Sequence, residues 1–582
     1  MLRTTPLFAL LLLLFTTCGE DSAGGAGGGL ATTSAIQLNQ VGYGVGEPIR
    51  FTFTDTARQA IPGGSPVTGY SITDLSGDTV VREGRFGEAE DWSELAGVRA
   101  FAVETDPLPA GDYRVYVRDV GYSYPLHVSV RPYAAVFTAA VRGLYYQRAG
   151  QALPETHAGQ WQRSAGHPDT LVYYHPSTGR EGGTFSSPGG WYDAGDFNKY
   201  VVNGAFPVGQ LLALYEDVGD PAPDGSLNIP ESGNGKSDFL DEIKYELDWL
   251  LTMQDEDGGL FHKLTTLKFA GMVMPEAGTE DRFAVAKSTA ATLDFAAAAA
   301  QAARVYRDYD PAFSDRLLAA ARRAWTWGRE NDAAFFRNPG DVVTGQYGDS
   351  NADDERAWAA AELFATTGEQ EFYNDLQENM PRIRFGAGVG WNSYMANLAA
   401  FTLLRHPDRV PRELYGKVEG LVTTLADSLV LTTETNAYHQ PITEFGWGSN
   451  SDVANAAMVM AAAHRLHPSA GYLEGMRRSM DYLLGNNPNG VCYFTGFGSR
   501  SPQFIHHRQS AADGIDAPVP GLLSGGPNDG QQDRDEVTYP GGLPPMRSWL
   551  DETPSYATNE IALNWNAPFA YVAGYLALVD AD

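Results

Sequence analysis

Two periodicities divide the chain. From Ile36 to about residue 131 the apolar positions tend to alternate, as in Arg50-Phe51-Thr52-Phe53-Thr54 and Tyr113-Arg114-Val115-Tyr116-Val117. A period of two predicts strands with one buried face. Ile61-Pro62-Gly63-Gly64 and Leu108-Pro109-Ala110-Gly111-Asp112 punctuate these runs, and short strands with regular turns predict a β-sandwich. After Pro132 the texture changes to Ala- and Leu-rich segments, many at helical period. They lie near 134–150, 203–217, 238–254, 286–307, 312–329, 354–367, 369–380, 390–405, 411–429, 451–466, 470–485 and 560–579. Twelve such segments make six antiparallel pairs if neighbours pack together, and six pairs can close into an α/α barrel. The expected fold class is therefore mainly α: an (α/α)6 barrel over 132–582, preceded by a small β-sandwich over 36–131. Between the helices run long loops rich in Gly, Pro, Asp and aromatics, notably 151–200 and 486–558. Loops of that length inside a compact domain are usually functional.

The N-terminus reads as a targeting segment. Arg3 precedes an apolar run, Pro6 to Phe15, that is too short for a comfortable membrane span. Thr16-Thr17-Cys18-Gly19 ends the run in the manner of a bacterial lipoprotein signal over 1–18, with Cys18 as the lipidated residue. Gly24-Gly25-Ala26-Gly27-Gly28-Gly29 then reads as part of a flexible tether over 19–35. On this reading the protein is secreted and held to a bacterial membrane or cell surface; an ordinary secretory signal is the alternative. The other cysteine is Cys492, so the mature domains hold no internal disulfide.

Composition changes the picture in two ways. Lys and Arg total 41 against 72 Asp and Glu, a formal charge of −31. This argues against nucleic acid, whose binding rests on cationic side chains meeting phosphates, and against uronic-acid polymers, but does not repel a neutral polysaccharide. Aromatic residues make up 12% of the chain, a supply of flat rings that suits a sugar-binding cleft.

Three segments could carry chemistry. In Gly189-Gly190-Trp191-Tyr192-Asp193-Ala194-Gly195-Asp196-Phe197 two carboxylates lie three residues apart among small residues. One could deprotonate a water while the other holds it; alone, the pair reads equally as a turn or helix cap. Trp549-Leu550-Asp551 and Tyr556-Ala557-Thr558-Asn559-Glu560-Ile561-Ala562 form the second segment, with Glu560 expected to open an apolar helix. Desolvation would raise its pKa and suit a proton donor, whereas a helix N-terminus would lower it. The third segment runs from Thr495-Gly496-Phe497-Gly498-Ser499-Arg500 to His506-His507-Arg508. Its His and Arg could hydrogen-bond sugar hydroxyls or hold a carboxylate; the adjacent histidines are poorly spaced for a metal.

Taken together these segments resemble glycoside hydrolase family 9, cellulases with an (α/α)6 barrel. The resemblance runs from Ile36 to near the C-terminus. Ile36-Gln37-Leu38-Asn39-Gln40-Val41-Gly42-Tyr43 is similar to the start of the immunoglobulin-like domain of one subgroup. Asn228-Ile229-Pro230-Glu231-Ser232-Gly233-Asn234-Gly235, Leu240-Asp241-Glu242, Asp354-Glu355 and Trp447-Gly448-Ser449-Asn450 follow the same pattern. The resemblance implies an inverting endo-β-1,4-glucanase in which Asp196 is the catalytic base, Asp193 helps hold the water and Glu560 is the catalytic acid. Asp551, His506 and Arg508 match further active-site positions expected to contact sugar. Trp447 matches an aromatic platform, and Tyr556, Tyr347 and Trp391 are weaker platform candidates. An exo-acting enzyme of the same family and a non-catalytic carbohydrate-binding surface protein are the competing readings. The expected partner is a β-1,4-linked glucan, met by a monomer.

No cofactor is expected for catalysis. The family resemblance implies structural calcium, with oxygen-rich clusters at Glu231, Asn234, Asp238 and Asp241, and at Ser350, Asp353, Asp354, Glu355 and Asn392; hard oxygen ligands suit Ca²⁺. Ordinary helix-capping acids are the alternative. No zinc is expected, because Ala149 and Gly166 stand where some relatives carry cysteines and only His167 keeps its place.

Overall fold

The computed structural model describes residues 31–54, 67–92 and 94–579. The leader with Cys18 and the turn at Ile61-Pro62-Gly63-Gly64 lie outside the described residues.

The N-terminal domain is a sandwich of two sheets. One holds β1 (Ile36–Leu38), β3 (Ile49–Thr54), β7 (Val98–Thr105) and β6 (Glu90–Trp92) in that order, all antiparallel. The other runs β2 (Tyr43–Gly44), β10 (Leu126–Ser129), β8 (Gly111–Val117), β4 (Gly69–Asp74) and β5 (Val80–Arg85), with β9 (Gly121–Tyr122) paired to β8. Ile36, Phe51 and Phe53 from the first sheet meet Ile72, Val115, Val117 and Leu126 from the second in one core. Part of the expected tether is corrected here. Thr33 donates its N–H to the Tyr122 carbonyl at 2.7 Å and Thr32 bridges Tyr122, so residues 31–33 dock along β9, and the Ala35 carbonyl accepts the Thr54 N–H of β3 at 2.9 Å.

All twelve predicted helices form. They are α1 (Ala134–Tyr146), α2 (Val201–Val218), α3 (Asp238–Thr252), α4 (Thr289–Val305), α5 (Pro311–Glu330), α6 (Asp353–Thr367), α7 (Gln370–Asn379), α8 (Tyr394–Arg405), α9 (Arg412–Glu434), α10 (Ser449–Leu466), α11 (Ala470–Leu483) and α12 (Leu563–Val579). The even-numbered helices touch one another in a closed inner ring, and the odd-numbered ones pack outside. Sequence explains the sorting. Inner helices are apolar or small all round: α2 is buried from Val201 to Leu214 and α12 from Leu563 to Ala577. Outer helices carry one apolar stripe, as α5 does with Phe313, Leu317, Ala321, Ala324 and Gly328. A helix wrapped by others must be apolar on every face, whereas one at the rim buries a single stripe.

Strand β3 departs from simple alternation, since all six of its residues are buried. Its second face packs on the barrel rather than facing water. There the fully buried Arg50 meets Asp481 of α11 at 2.9 Å, together with Glu474 of α11 and Glu104 of β7. Asn39 donates to the same Asp481 at 2.9 Å, and the Thr52 hydroxyl donates to the Ala437 carbonyl at 2.6 Å. Removing one partner of a buried ion pair strands the others, so Arg50→Ala is expected to cost about 3–5 kcal/mol of unfolding free energy. Urea denaturation of the two proteins side by side measures the difference; an unchanged midpoint would refute it.

The loop 151–200 is more ordered than its composition suggests. With the segment after α3 it forms a small sheet ordered β12 (Thr184–Phe185), β11 (Val172–Tyr174), β15 (Phe283–Ala284), β14 (Lys263–Thr265) and β13 (Lys199–Tyr200). This sheet holds the chain just beyond Asp196.

Candidate active site

A cavity of about 1040 Å³ opens at one end of the barrel. Asp193, Asp196 and Glu560 all line it, with Tyr347, Trp391, Trp447, His506, Arg508 and Tyr556. The three predicted segments therefore meet at one place.

The first segment enters between loop and helix. Gly195 is required by close approach: a Cβ there would lie 1.9 Å from the His506 carbonyl oxygen. That contact stitches the aspartate loop to the His506 loop, and the Arg508 N–H and guanidinium both donate to the Gly195 carbonyl, at 3.1 and 2.7 Å. Asp193 is 4% exposed and has both oxygens engaged. Asn203 of α2 donates to one at 2.6 Å and the Tyr347 hydroxyl to the other at 2.9 Å. Asp196, also 4% exposed, differs. Its Oδ2 accepts from the Asn198 amide at 2.5 Å and from the Tyr200 hydroxyl at 3.3 Å, while its Oδ1 has no protein partner. Asn198 is itself oriented, because its carbonyl accepts the Thr266 N–H at 2.9 Å.

Glu560 corrects one expectation. It does not open a helix: α12 begins at Leu563, and Glu560 is extended, with φ −70° and ψ 165°. Bridges from His506 to Glu560, Ser524 to Ile561 and Ala194 to Ala562 pin this stretch against the other two segments. The residue is thus outside a helix's first turn, and burial dominates. Its carboxyl is held well above the ordinary range, first by burial and then by the charges of Asp196 and Asp193, with Arg508 and the Gly195 N–H pulling the other way. Asp193 is likewise raised, by burial and by Asp196. Asp196 is raised by burial but opposed by Arg508, Asn198 and Tyr200. An acid that keeps its proton thus faces a base whose ionised form is favoured by two donors and by the charge of Arg508.

His506 directs Nδ1 to the Thr553 carbonyl at 2.7 Å. Burial lowers its pKa to about 4, so the ring is neutral near pH 7. Its neighbour His507 is structural, bonded to Ser510 at 2.9 Å and Gln147 at 3.1 Å. Asp551 is a second correction. It does not line the cavity; its carboxylate accepts the backbone N–H groups of Gln503 and Phe504 and the amide of Asn559. It ties the His506 loop to the turn before Glu560. Trp447, 46% exposed, presents an open ring 5.5 Å from that of Tyr556. Tyr347, a weaker platform candidate, lines the cavity and also holds Asp193.

Sequence reasoning missed the donors Asn198, Tyr200 and Asn203, and also Lys263. Lys263 donates to Asn338 and Thr344 at 2.9 Å and to the Gly345 carbonyl at 2.6 Å, fixing the loop that delivers Tyr347. Asn198 and Tyr200 stand within four residues of Asp196, the one signal that could have found them.

The first calcium cluster does not fit a cation. Glu231 is paired with Arg148 at 3.0 Å. Asp238 accepts the Gly225 and Leu227 N–H groups and the Ser232 hydroxyl, and Asp241 accepts from Asn234 and Tyr309. These acids shape a turn. At the second cluster, Asp354 and Glu355 start α6 and meet Asp294 of α4. Both oxygens of buried Asp294 and Oε2 of Glu355 have no hydrogen-bond partner. Asp294 is raised by burial, Asp354 and Asp349, and Glu355 by burial, Asp354, Asp294 and Asp349. Asp353 lies 4.0 Å from Arg382, the Ser350 N–H bonds Asp349, and Asn392 is exposed in a one-turn helix. Among the described residues no three His, Cys, Asp or Glu side chains already form a metal-holding group. His167 bonds the Tyr192 hydroxyl at 2.8 Å.

Comparison with known proteins adds the following. The family model for glycosyl hydrolase family 9 matches residues 133–573. The chain is 37% identical to a xyloglucan-specific endo-beta-1,4-glucanase of Bacteroides ovatus over 93% of each chain. It is 35% identical to endoglucanase D of Acetivibrio thermocellus, covering 80% of this chain and 73% of that one. A solved Bacteroides ovatus GH9 structure superposes with a TM-score of 0.85 at 34% identity, over 94% of this chain and 99% of that one.

Proposed function

The chain belongs to glycosyl hydrolase family 9, and from that premise we propose how its three cavity carboxyls divide the work. The protein is a glycoside hydrolase of the endo-β-1,4-glucanase type. Asp196 takes a proton from water, which attacks the anomeric carbon in a single displacement; Asp193 helps hold that water and Glu560 protonates the leaving oxygen. One observation carries this assignment: Oδ1 of Asp196 is the oxygen of the aspartate pair left without a protein partner. His506 and Arg508 contact the sugar next to the bond cleaved, and Trp447 stacks a neighbouring ring. A single displacement inverts the anomeric centre, so proton NMR of fresh products should show the α-anomer first; a β-anomer would overturn the mechanism.

The substrate is a β-1,4-glucan, and the Bacteroides ovatus relative extends the class to xyloglucan. Internal cuts should make carboxymethylcellulose lose viscosity ahead of reducing-sugar release, and xyloglucan should yield oligosaccharides. Cellobiose released from chain ends alone would favour the exo-acting reading, and no turnover on any β-1,4-glucan would sink both.

For structural Ca²⁺ we propose the neighbourhood of Asp294, Asp354 and Glu355, where both oxygens of Asp294 and Oε2 of Glu355 lack donors, although the three side chains do not form a ready metal-holding group. Among the described residues no arginine pairs with these three acids, and the ion would supply the positive charge there. Folding raises their pKa values, so without metal their contribution to stability is present at low pH and lost as pH rises through the folded values. Added calcium should therefore raise Tm more at pH 8 than at pH 5, and Asp294→Asn should abolish the difference. Equal shifts at both pH values would refute the site. Cys18 is proposed as a lipid anchor on the cell surface for an enzyme that works as a monomer. Cys18→Ser should move activity from the membrane to the soluble fraction, and light scattering reads the assembly state.

A further inference from the structure

Asp452 lies in the first turn of α10, where an acidic residue ordinarily complements the helix dipole. Its surroundings set it apart. The side chain lines the cavity together with Trp391, Tyr394, Trp447, Asn564 and Trp565. The Tyr394 hydroxyl donates to its Oδ1 at 2.7 Å. Several interior acids away from the cavity meet arginines: Asp481 meets Arg50, Glu242 meets Arg148, and Glu362 meets Arg304. Among the described residues no cation pairs with Asp452. A desolvated carboxylate without a cation is costly unless hydrogen-bond donors reach it. In a cleft for a neutral polysaccharide, the donors at hand are sugar hydroxyls.

The wall around it is built. Trp447 leaves an open ring, and the next residue, Gly448, has φ +80° with Trp565 Nε1 only 2.6 Å from where a Cβ would stand. A side chain at 448 would push Trp565 out of place. Trp391 closes the other side, 5.9 Å from the Tyr394 ring. Flat rings and one carboxyl are the elements that bind a pyranose, the rings stacking on its face and the carboxylate accepting from its edge.

We propose that Asp452 is a specificity-determining residue whose carboxylate accepts hydroxyl hydrogen bonds from a glucosyl unit bound between Trp447, Trp565 and Trp391. The inference rests on the glucan-hydrolase reading and adds a contact outside the proton-transfer group. It also gives binding a pH dependence. Burial raises the Asp452 carboxyl to about 7, and Tyr394 from α8 is the titratable group bonded to it. Asp193, Asp196, Glu560, His506 and Arg508 share the cavity. The ionised form is the better acceptor, so substrate binding tightens as pH rises through that value.

The test compares wild type, Asp452→Asn and Tyr394→Phe. An asparagine still accepts from Tyr394, so the first variant keeps the packing and removes only the charge. KM and kcat on cellohexaose are measured from pH 5 to 9, and Kd for cellotetraose is measured by calorimetry at both ends. Asp452→Asn should raise Kd and KM roughly ten- to hundredfold above pH 7, lower kcat less, and flatten the pH dependence of Kd. Unchanged Kd, or an unaltered pH trend, would overturn the proposal. So would an equal loss in Tyr394→Phe, which would make Asp452 a support for that tyrosine. If wild type binds cellotetraose but does not cleave cellohexaose, the hydrolase reading fails while calorimetry still decides the contact. If it does not bind cellotetraose, the contact fails as well.

Discussion

Asp196→Asn should lower kcat on cellohexaose by about 10²–10⁴, the range that a positioned general base contributes, while Kd for cellotetraose stays within about twofold. The geometry makes this substitution informative. Asn198 and Tyr200 both donate to Oδ2, and an asparagine carbonyl can accept from the same two groups. Its amide then occupies the position of Oδ1, where it cannot take a proton from water. Fold and sugar contacts persist, and only the base is gone. Single-turnover rates with calorimetric binding separate the two quantities. Hydrolysis near the wild-type rate would remove Asp196 from the mechanism and leave Asp193 as the candidate, despite its two bound donors.

Glu560→Gln should cause a loss of similar size, about 10²–10⁴ on natural glucan, with a different signature. A general acid matters in proportion to how poor the leaving group is. Aryl cellobiosides with acidic phenols should therefore be cleaved by the variant far better than cellohexaose. The pH profile supplies a second check. Wild-type kcat/KM falls on the acidic side as Asp196 gains a proton and on the alkaline side as Glu560 loses one. Both carboxyls are raised by burial, so both limbs lie above the ordinary carboxylate range. In Glu560→Gln the alkaline limb should vanish while the acidic limb stays in place, because Glu560 already carries its proton where Asp196 titrates. An alkaline limb that survives unchanged would assign the acid to another group.

Much of this was legible along the chain, for reasons that differ by feature. The twelve helices announce themselves because inner helices must be apolar on every face and outer ones on a single stripe. Asp193, Asp196 and Glu560 were found through motifs close in sequence. Their partners were not: Tyr347 reaches Asp193 across 154 residues, and no local pattern records such a meeting. Glu560 was placed at a helix start because Ile561 and Ala562 look helical. The bridges to Ser524 and Ala194 that hold them extended are tertiary. Asp551 matched an active-site position but serves as a bracket behind the site, a difference that only the N–H groups of residues 503 and 504 reveal. The period of β3 marks a strand with one buried face, and it cannot say that the barrel covers the other.

That covered face bears on how freely the two domains can be separated. Arg50 sits with three acids, two of them from α11, and Asp481 also takes the amide of Asn39. A chain begun at Pro132 would carry Asp481 with its counter-charge deleted, and Glu474 left with Arg477 and without Arg50, on a face accustomed to being dry. The sandwich is therefore a structural half of the catalyst rather than a portable cassette. Exchanging it for a relative's domain should succeed only where the incoming strand brings its own arginine in register. Calorimetric melting of the intact protein should then show one transition for both domains, whereas two resolved peaks would mean that each half stands alone.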